Sequence, residues 1–191
     1  MLFRSGVATG LAAAMTPGIS LIVFLGGAFA LMFAIEKTKN SAAGVPVLLG
    51  FTFFMGLMLS RILQVALGFS NGGSLIALAG AGTGAVFFAL AGIASTTKRD
   101  FTNIGGFLFA GVILVLVAIA ANIFLQIPAL SLAISTVTVV IFSAYVLYDI
   151  NRIVRGGETN YITATLSVYL DVYNIFVSLL HLLLAFTGER D

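Results

Sequence analysis

The chain has 191 residues, of which 60% are hydrophobic and only 8% charged, with a formal net charge of +2 and no cysteine. A soluble globular domain needs about a quarter of its residues charged to face water, so an independent soluble fold is excluded. The absence of cysteine excludes disulfides, thiolate metal sites and a cysteine nucleophile, and the small net charge leaves no footprint for nucleic acid.

With a mean hydropathy of +1.16, hydrocarbon is the expected solvent. There, backbone groups are satisfied only within helices or a closed barrel. The apolar runs are long and continuous rather than alternating, so the fold class is all-α, a polytopic membrane helix bundle. No linker or low-complexity stretch divides residues 1–191, which read as a single transmembrane domain.

In chain order, Gly6–Met15 is apolar but too short to span, and Thr16-Pro17-Gly18 ends it. Arg4, the short apolar core and Ala12-Ala13-Ala14 fit a signal peptide, or else the end of a first transmembrane helix. Six full spans follow: Ile19–Ile35, Val45–Leu67, Leu75–Ser95, Ile104–Leu125, Ala129–Ile150 and Thr165–Phe186. Each is near the roughly 20 residues that cross about 30 Å of hydrocarbon. The Gln126-Ile127-Pro128 turn is short enough to make its two helices antiparallel neighbours. Gly80–Gly84 lies within a span and lacks the lysine of a phosphate-binding loop, so it reads as helix packing.

Basic residues set the topology. Lys37 and Lys39 fall in one connection, Lys98 and Arg99 in a second, Arg152 and Arg155 in a third, and the intervening connections hold none. Those three connections therefore face the cytoplasm. The C-terminus lies outside if the last helix crosses fully, and inside if it is re-entrant.

Three charged residues fall within spans: Arg61, Asp149 and Asp171; His181 is a fourth titratable group. A charge at mid-bilayer costs at least about 2.5–3.5 kcal/mol, which marks such residues as functional candidates. Asp149 ends one span just before a loop at Asn151, and Asp171 lies about six residues into the next, roughly 9 Å along it. Consecutive antiparallel helices pack side by side, so the two carboxyls are expected to meet, share a proton and titrate as a coupled pair. Such a pair can alternate between a hydrogen-bonded closed state and a repelled or cation-bridged open state.

Asp171, Asn174, Ser178 and His181 recur at helical spacing and form a polar stripe on one face. The opposite positions, including Leu170, Val172, Phe176 and Leu180, are apolar. For Asn174 and Ser178, a helix-packing seam of hydrogen bonds is the simpler reading. Arg61 is read as an outer residue snorkelling to the interface, with an Arg61–His181 gate as the alternative. Asn122 and Gln126 suggest interhelical hydrogen bonding and a polar turn.

Tyr145-Val146-Leu147-Tyr148-Asp149-Ile150, followed by the stretch from Leu166 through Asp171 to Phe176, resembles the C-terminal signature of the transmembrane Bax-inhibitor-motif family. The run Ala121–Leu130 and the loop Gly156-Gly157-Glu158-Thr159-Asn160-Tyr161-Ile162 are similar to its bacterial YccA-like branch. The resemblance is clear from about Thr97 to Phe186. It implies a Bax-inhibitor-type bundle of seven helices with a central or re-entrant last helix, residues 1–16 being the remnant of the first. It further implies a calcium-permeable, pH-sensitive leak in a bacterial inner membrane, with Asp149 and Asp171 as proton sensor. An association with the ATP-dependent membrane protease FtsH is also implied. Leak members latch the first aspartate with an arginine; here that region reads Glu36-Lys37-Thr38-Lys39, making Lys37 and Lys39 the candidate latch. A lysine lacks the bidentate fork of arginine.

Three functions follow as expectations. The first is a passive pH-gated cation leak, in which Asp149 and Asp171 form a weak, transient calcium site; calcium prefers several oxygen ligands. The second is a non-transporting regulator of an FtsH-type protease. The third, an intramembrane aspartyl protease, has Tyr148-Asp149 but lacks the Gly-x-Gly-Asp that would complete it. The chain is therefore expected not to be an enzyme and to need no cofactor, its partners being membrane lipid, calcium or other cations and an FtsH-type membrane protease, with no nucleic acid.

Overall fold

The structure, a computed structural model, describes residues 17–188. The expected remnant at 1–16 lies outside them. The described chain forms α1 (Pro17–Thr38), α2 (Gly44–Leu67), α3 (Gly72–Thr96), a 3-10 turn (Thr102–Ile104), α4 (Gly105–Leu125), α5 (Pro128–Val154) and α6 (Tyr161–Thr187). Among the described residues, five helices from Gly44 onward are long and apolar enough to cross a membrane. α1 adds a further 22 residues. Every expected span is present as a helix, and the fold is an all-α membrane bundle.

The largest boundary corrections fall beside the two aspartates. α5 does not stop at Ile150 but runs through Asn151 to Val154, and α6 starts at Tyr161 rather than Thr165. Asn160 explains the second shift. Its Oδ1 accepts hydrogen bonds from the N–H groups of Ile162 and Thr163 at 3.0 and 3.1 Å, which satisfies donors that a helix start otherwise leaves orphaned. Asp171 is consequently ten residues into its helix, about 15 Å along it.

The chain divides into two compact units, Met1–Arg61 and Ile62–Asp191. In the first, α1 and α2 approach closely at Gly27, where an added Cβ would lie 2.6 Å from the Phe54 ring. Lys37 belongs to the last turn of α1.

In the second unit α5 is the hub, packing against α6, α3 and α4, while α3 also packs against α6. Ala66, Leu75, Ala79, Leu180 and Leu184 form a buried apolar cluster, with Ile62 and Leu63 packed onto it. Helix burial in lipid is no gain over hydrocarbon, so close packing has to hold such a unit together. Small residues on α3 allow it: Gly80 and Gly82 face Phe176 and Leu179 of α6.

On the apolar side of α6, Leu180 is fully enclosed, while Leu170, Val172 and Phe176 are half-buried. The α4–α5 turn is tight. Gln126 takes a left-handed conformation (φ 53°), and Asn122 Oδ1 accepts from the Ile127 N–H at 3.0 Å. Asn122 therefore caps a turn rather than bridging helices, and Pro128 opens α5 where its missing N–H costs nothing.

Candidate functional site

Asp149 and Asp171 meet across the α5–α6 seam. Asp171 is 2% exposed and Asp149 8%. The Asp149 carboxyl lies within hydrogen-bonding reach of both the Ser167 hydroxyl and the Asp171 carboxyl. A hydrogen bond between two carboxyl groups requires one proton between them. Asp171 Oδ2 is enclosed and has no hydrogen-bond partner, so this oxygen has lone pairs to offer a cation or a proton. Tyr145, one turn before Asp149, lies near both acids and edge-on to Tyr148, with ring centroids 6.1 Å apart.

Just past Asp149 the sequence reading missed a residue. Asn151, expected in a loop, is 1% exposed on α5. Its Nδ2 donates to the carbonyls of Ala94 and Arg99 at 3.3 and 3.2 Å, and its Oδ1 accepts from the Phe101 N–H at 3.2 Å. One side chain thereby ties α3, the α3–α4 connection and α5 together. Arg155 adds a hydrogen bond to the Lys98 carbonyl. Tyr148 lies against Gly105 so closely that an added Cβ would sit 2.7 Å from its hydroxyl. On the other side, Arg152 approaches Glu158 at 3.8 Å.

In the α3–α4 connection Asp100 accepts from the Thr102 hydroxyl and N–H at 2.6 and 2.8 Å. Those bonds hold its carboxyl below the usual carboxylate value of 3.8. Ser167 was also missed. It sits one turn before Asp171, but a serine in an apolar helix carries no charge cost to signal its role.

The polar stripe is only partly an interhelical seam. Asn174 Nδ2 donates to Leu170 O of its own helix at 2.8 Å, which corrects the expected bond between helices. Ser178 is buried. His181 does bridge, with Nδ1 2.8 Å from Ser135 Oγ on α5.

Lys37 stacks over the Phe33 ring at 5.2 Å, and Lys39 pairs with Glu36 at 2.6 Å. Arg61 is exposed on α2 and belongs, like both lysines, to the first compact unit. No cluster of three or more histidine, aspartate or glutamate side chains suited to a metal occurs among the described residues.

A family profile described as "Inhibitor of apoptosis-promoting Bax1" matches residues 1–188, well beyond the Thr97–Phe186 stretch legible in the motifs. The chain is 44% identical over 183 residues to "Modulator of FtsH protease YccA" of Escherichia coli K12, covering 96% of this chain and 83% of that one. The same identity and coverage hold for "Inner membrane protein YccA" of Escherichia coli O6:H1. An "Uncharacterized membrane protein" of Vibrio cholerae is 42% identical, over 91% of this chain and 78% of its own. Long apolar helices able to cross a membrane, a profile match over residues 1–188 and relatives at 44% identity make this chain a multi-pass inner-membrane protein belonging to the Bax inhibitor family.

Proposed function

We propose that this chain is a pH-sensitive leak for calcium or a similar cation, gated by the Asp149–Asp171 pair. The observation that carries the reading is two buried carboxyls in contact across a helix seam, one with an unpartnered oxygen. With one shared proton the pair joins α5 to α6. Without it, two adjacent negative charges separate or take up a cation. Calcium takes six to eight oxygen ligands, so the pair would supply part of a transient site and water and carbonyls the remainder. Lys37 and Lys39 enter this proposal as the latch that favours the closed state.

Calcium flux into vesicles containing the protein, measured as pH is varied only in the compartment facing the α5–α6 connection, tests the reading. The intact chain should conduct in a pH-dependent way, and a variant with both Asp149→Ala and Asp171→Ala should lose that dependence. Unchanged flux in the double variant rejects the gate.

A second reading has its own support. A relative 44% identical over 96% of this chain carries the name of a modulator of FtsH protease. On this reading the chain binds an FtsH-type membrane protease and regulates it without catalysis of its own. Co-purification of such a protease, together with flux no greater than in protein-free vesicles, selects it over the leak.

A further inference from the structure

The α5–α6 seam contains a second titratable group, distant from the carboxyl pair. Ser135 and His181 fix the register of the two helices. Fourteen residues further along α5 is Asp149, and fourteen back along α6 is Ser167, the other observed pair. The register therefore holds over the intervening turns, about 21 Å. Three residues in from Ser135 and His181 it sets Thr138 opposite Ser178, both buried.

Each hydroxyl at this end has a helix carbonyl one turn back to which it can donate. Thr138 Oγ1 donates to Ile134 O at 2.8 Å, and Ser135 Oγ donates to Ser131 O at 3.1 Å. A serine has one hydroxyl proton. With that proton on Ser131 O, the 2.8 Å contact to His181 is made by the ring donating from Nδ1–H to the serine lone pair. In a neutral imidazole the other nitrogen, Nε2, then carries a lone pair and no proton.

Among the described residues of the second compact unit, the neighbouring helices offer no ionisable group at this end. α3, α4, the α2 segment Ile62–Leu67 and α5 before Tyr145 contain no Asp, Glu, Lys, Arg, His or Tyr. On α6, Asp171 and Tyr173 are ten and eight residues away, about 15 and 12 Å along the axis.

We propose that Ser135 and His181 form a proton-binding site at the end of the α5–α6 seam opposite the carboxyl pair, with Nδ1–H anchored on Ser135 and Nε2 taking the proton. Binding forms one N–H bond and turns the ring into an imidazolium without breaking the bond to Ser135. The positive charge then faces any cation approaching the seam from the α5 N-terminal side, a consequence that rests on the leak reading; the site itself does not.

His181 is the only histidine in the chain. Labelling histidine with nitrogen-15 in the full chain, held in lipid nanodiscs and free of any histidine tag, gives one imidazole to observe. At alkaline pH the expected spectrum has Nδ1 protonated and Nε2 not, with Nε2 protonating as pH falls from 8 to 5. Ser135→Ala should shift the ring towards the Nε2–H tautomer. An Nε2–H tautomer in the intact chain, or no titration over that range, overturns the proposal.

Calcium flux gives the second arm, with pH changed only in the compartment facing the α5 N-terminus. Acidification should lower flux several-fold in the intact chain and leave His181→Gln unaffected. Equal acid sensitivity in both proteins overturns the coupling of this site to the seam. Flux indistinguishable from empty vesicles in both proteins counts against the leak, and the resonances then decide the site by themselves.

Discussion

Asn151 shows how one side chain can set the geometry around a pair of acids. Its amide satisfies two carbonyls and one N–H in a place with almost no access to solvent. Asn151→Ala leaves those three groups without partners, and each buried unsatisfied group costs about 1–3 kcal/mol. Partial relaxation of an exposed connection brings the expected loss to about 2 kcal/mol, roughly thirty-fold in the opening equilibrium. Lys98 and Arg99 sit in that connection, so trypsin provides the measurement: cleavage there should accelerate about thirty-fold in Asn151→Ala. Cleavage at the intact rate would show that Asn151 does not clamp the connection. The two aspartates were legible in the sequence because a charge in hydrocarbon is costly enough to need a reason. Asn151 and Ser167 were not legible. A neutral polar residue near a span end reads equally well as loop, and nothing in its identity tells that its hydrogen-bond partners lie some fifty residues away.

At the level of elements, the six spans were readable because hydrocarbon demands long apolar runs, whereas helix ends depend on capping contacts that the pattern does not display. α5 and α6 both reach past their apolar cores to Val154 and back to Tyr161, and the two aspartates are set deeper in their helices as a result. The α3–α4 connection shows the same local control. Asp100 takes two hydrogen bonds from Thr102, at the start of the 3-10 turn that leads into α4. Its carboxyl titrates below the ordinary 3.8 because those bonds favour the charged form. The sign follows from a depressed folded-state value: the stabilisation is fully present above the unfolded value and is lost as pH falls through the folded one. Asp100→Asn should therefore melt below the intact chain at pH 7. The two melting temperatures should converge once pH drops past the lowered value of Asp100. A constant gap at every pH would mean that the carboxylate charge plays no part in holding this connection.

Across the whole molecule, positive connections alternate with neutral ones, which places the Lys98–Arg99 and Arg152–Arg155 connections on one side of the membrane. The Asp149–Asp171 pair lies toward that end of the α5–α6 seam and the Ser135–His181 contact toward the other. Two ionised carboxylates about 4 Å apart repel by on the order of 4 kcal/mol at an effective dielectric of about 20. That is enough to move a two-state seam from mostly closed to mostly open. On the leak reading, low pH keeps a proton between the acids and the seam shut, and rising pH opens it. Asp171→Asn separates this from a merely structural role, because its amide donates a hydrogen bond to Asp149 at every pH. Calcium uptake by vesicles at pH 5 to 8 should rise with pH for the intact chain and stay low and flat for Asp171→Asn, with helical content unchanged by circular dichroism. Uptake that still rises with pH in the folded variant would move the sensor away from the pair, because the only proton this substitution removes is the one the two acids share.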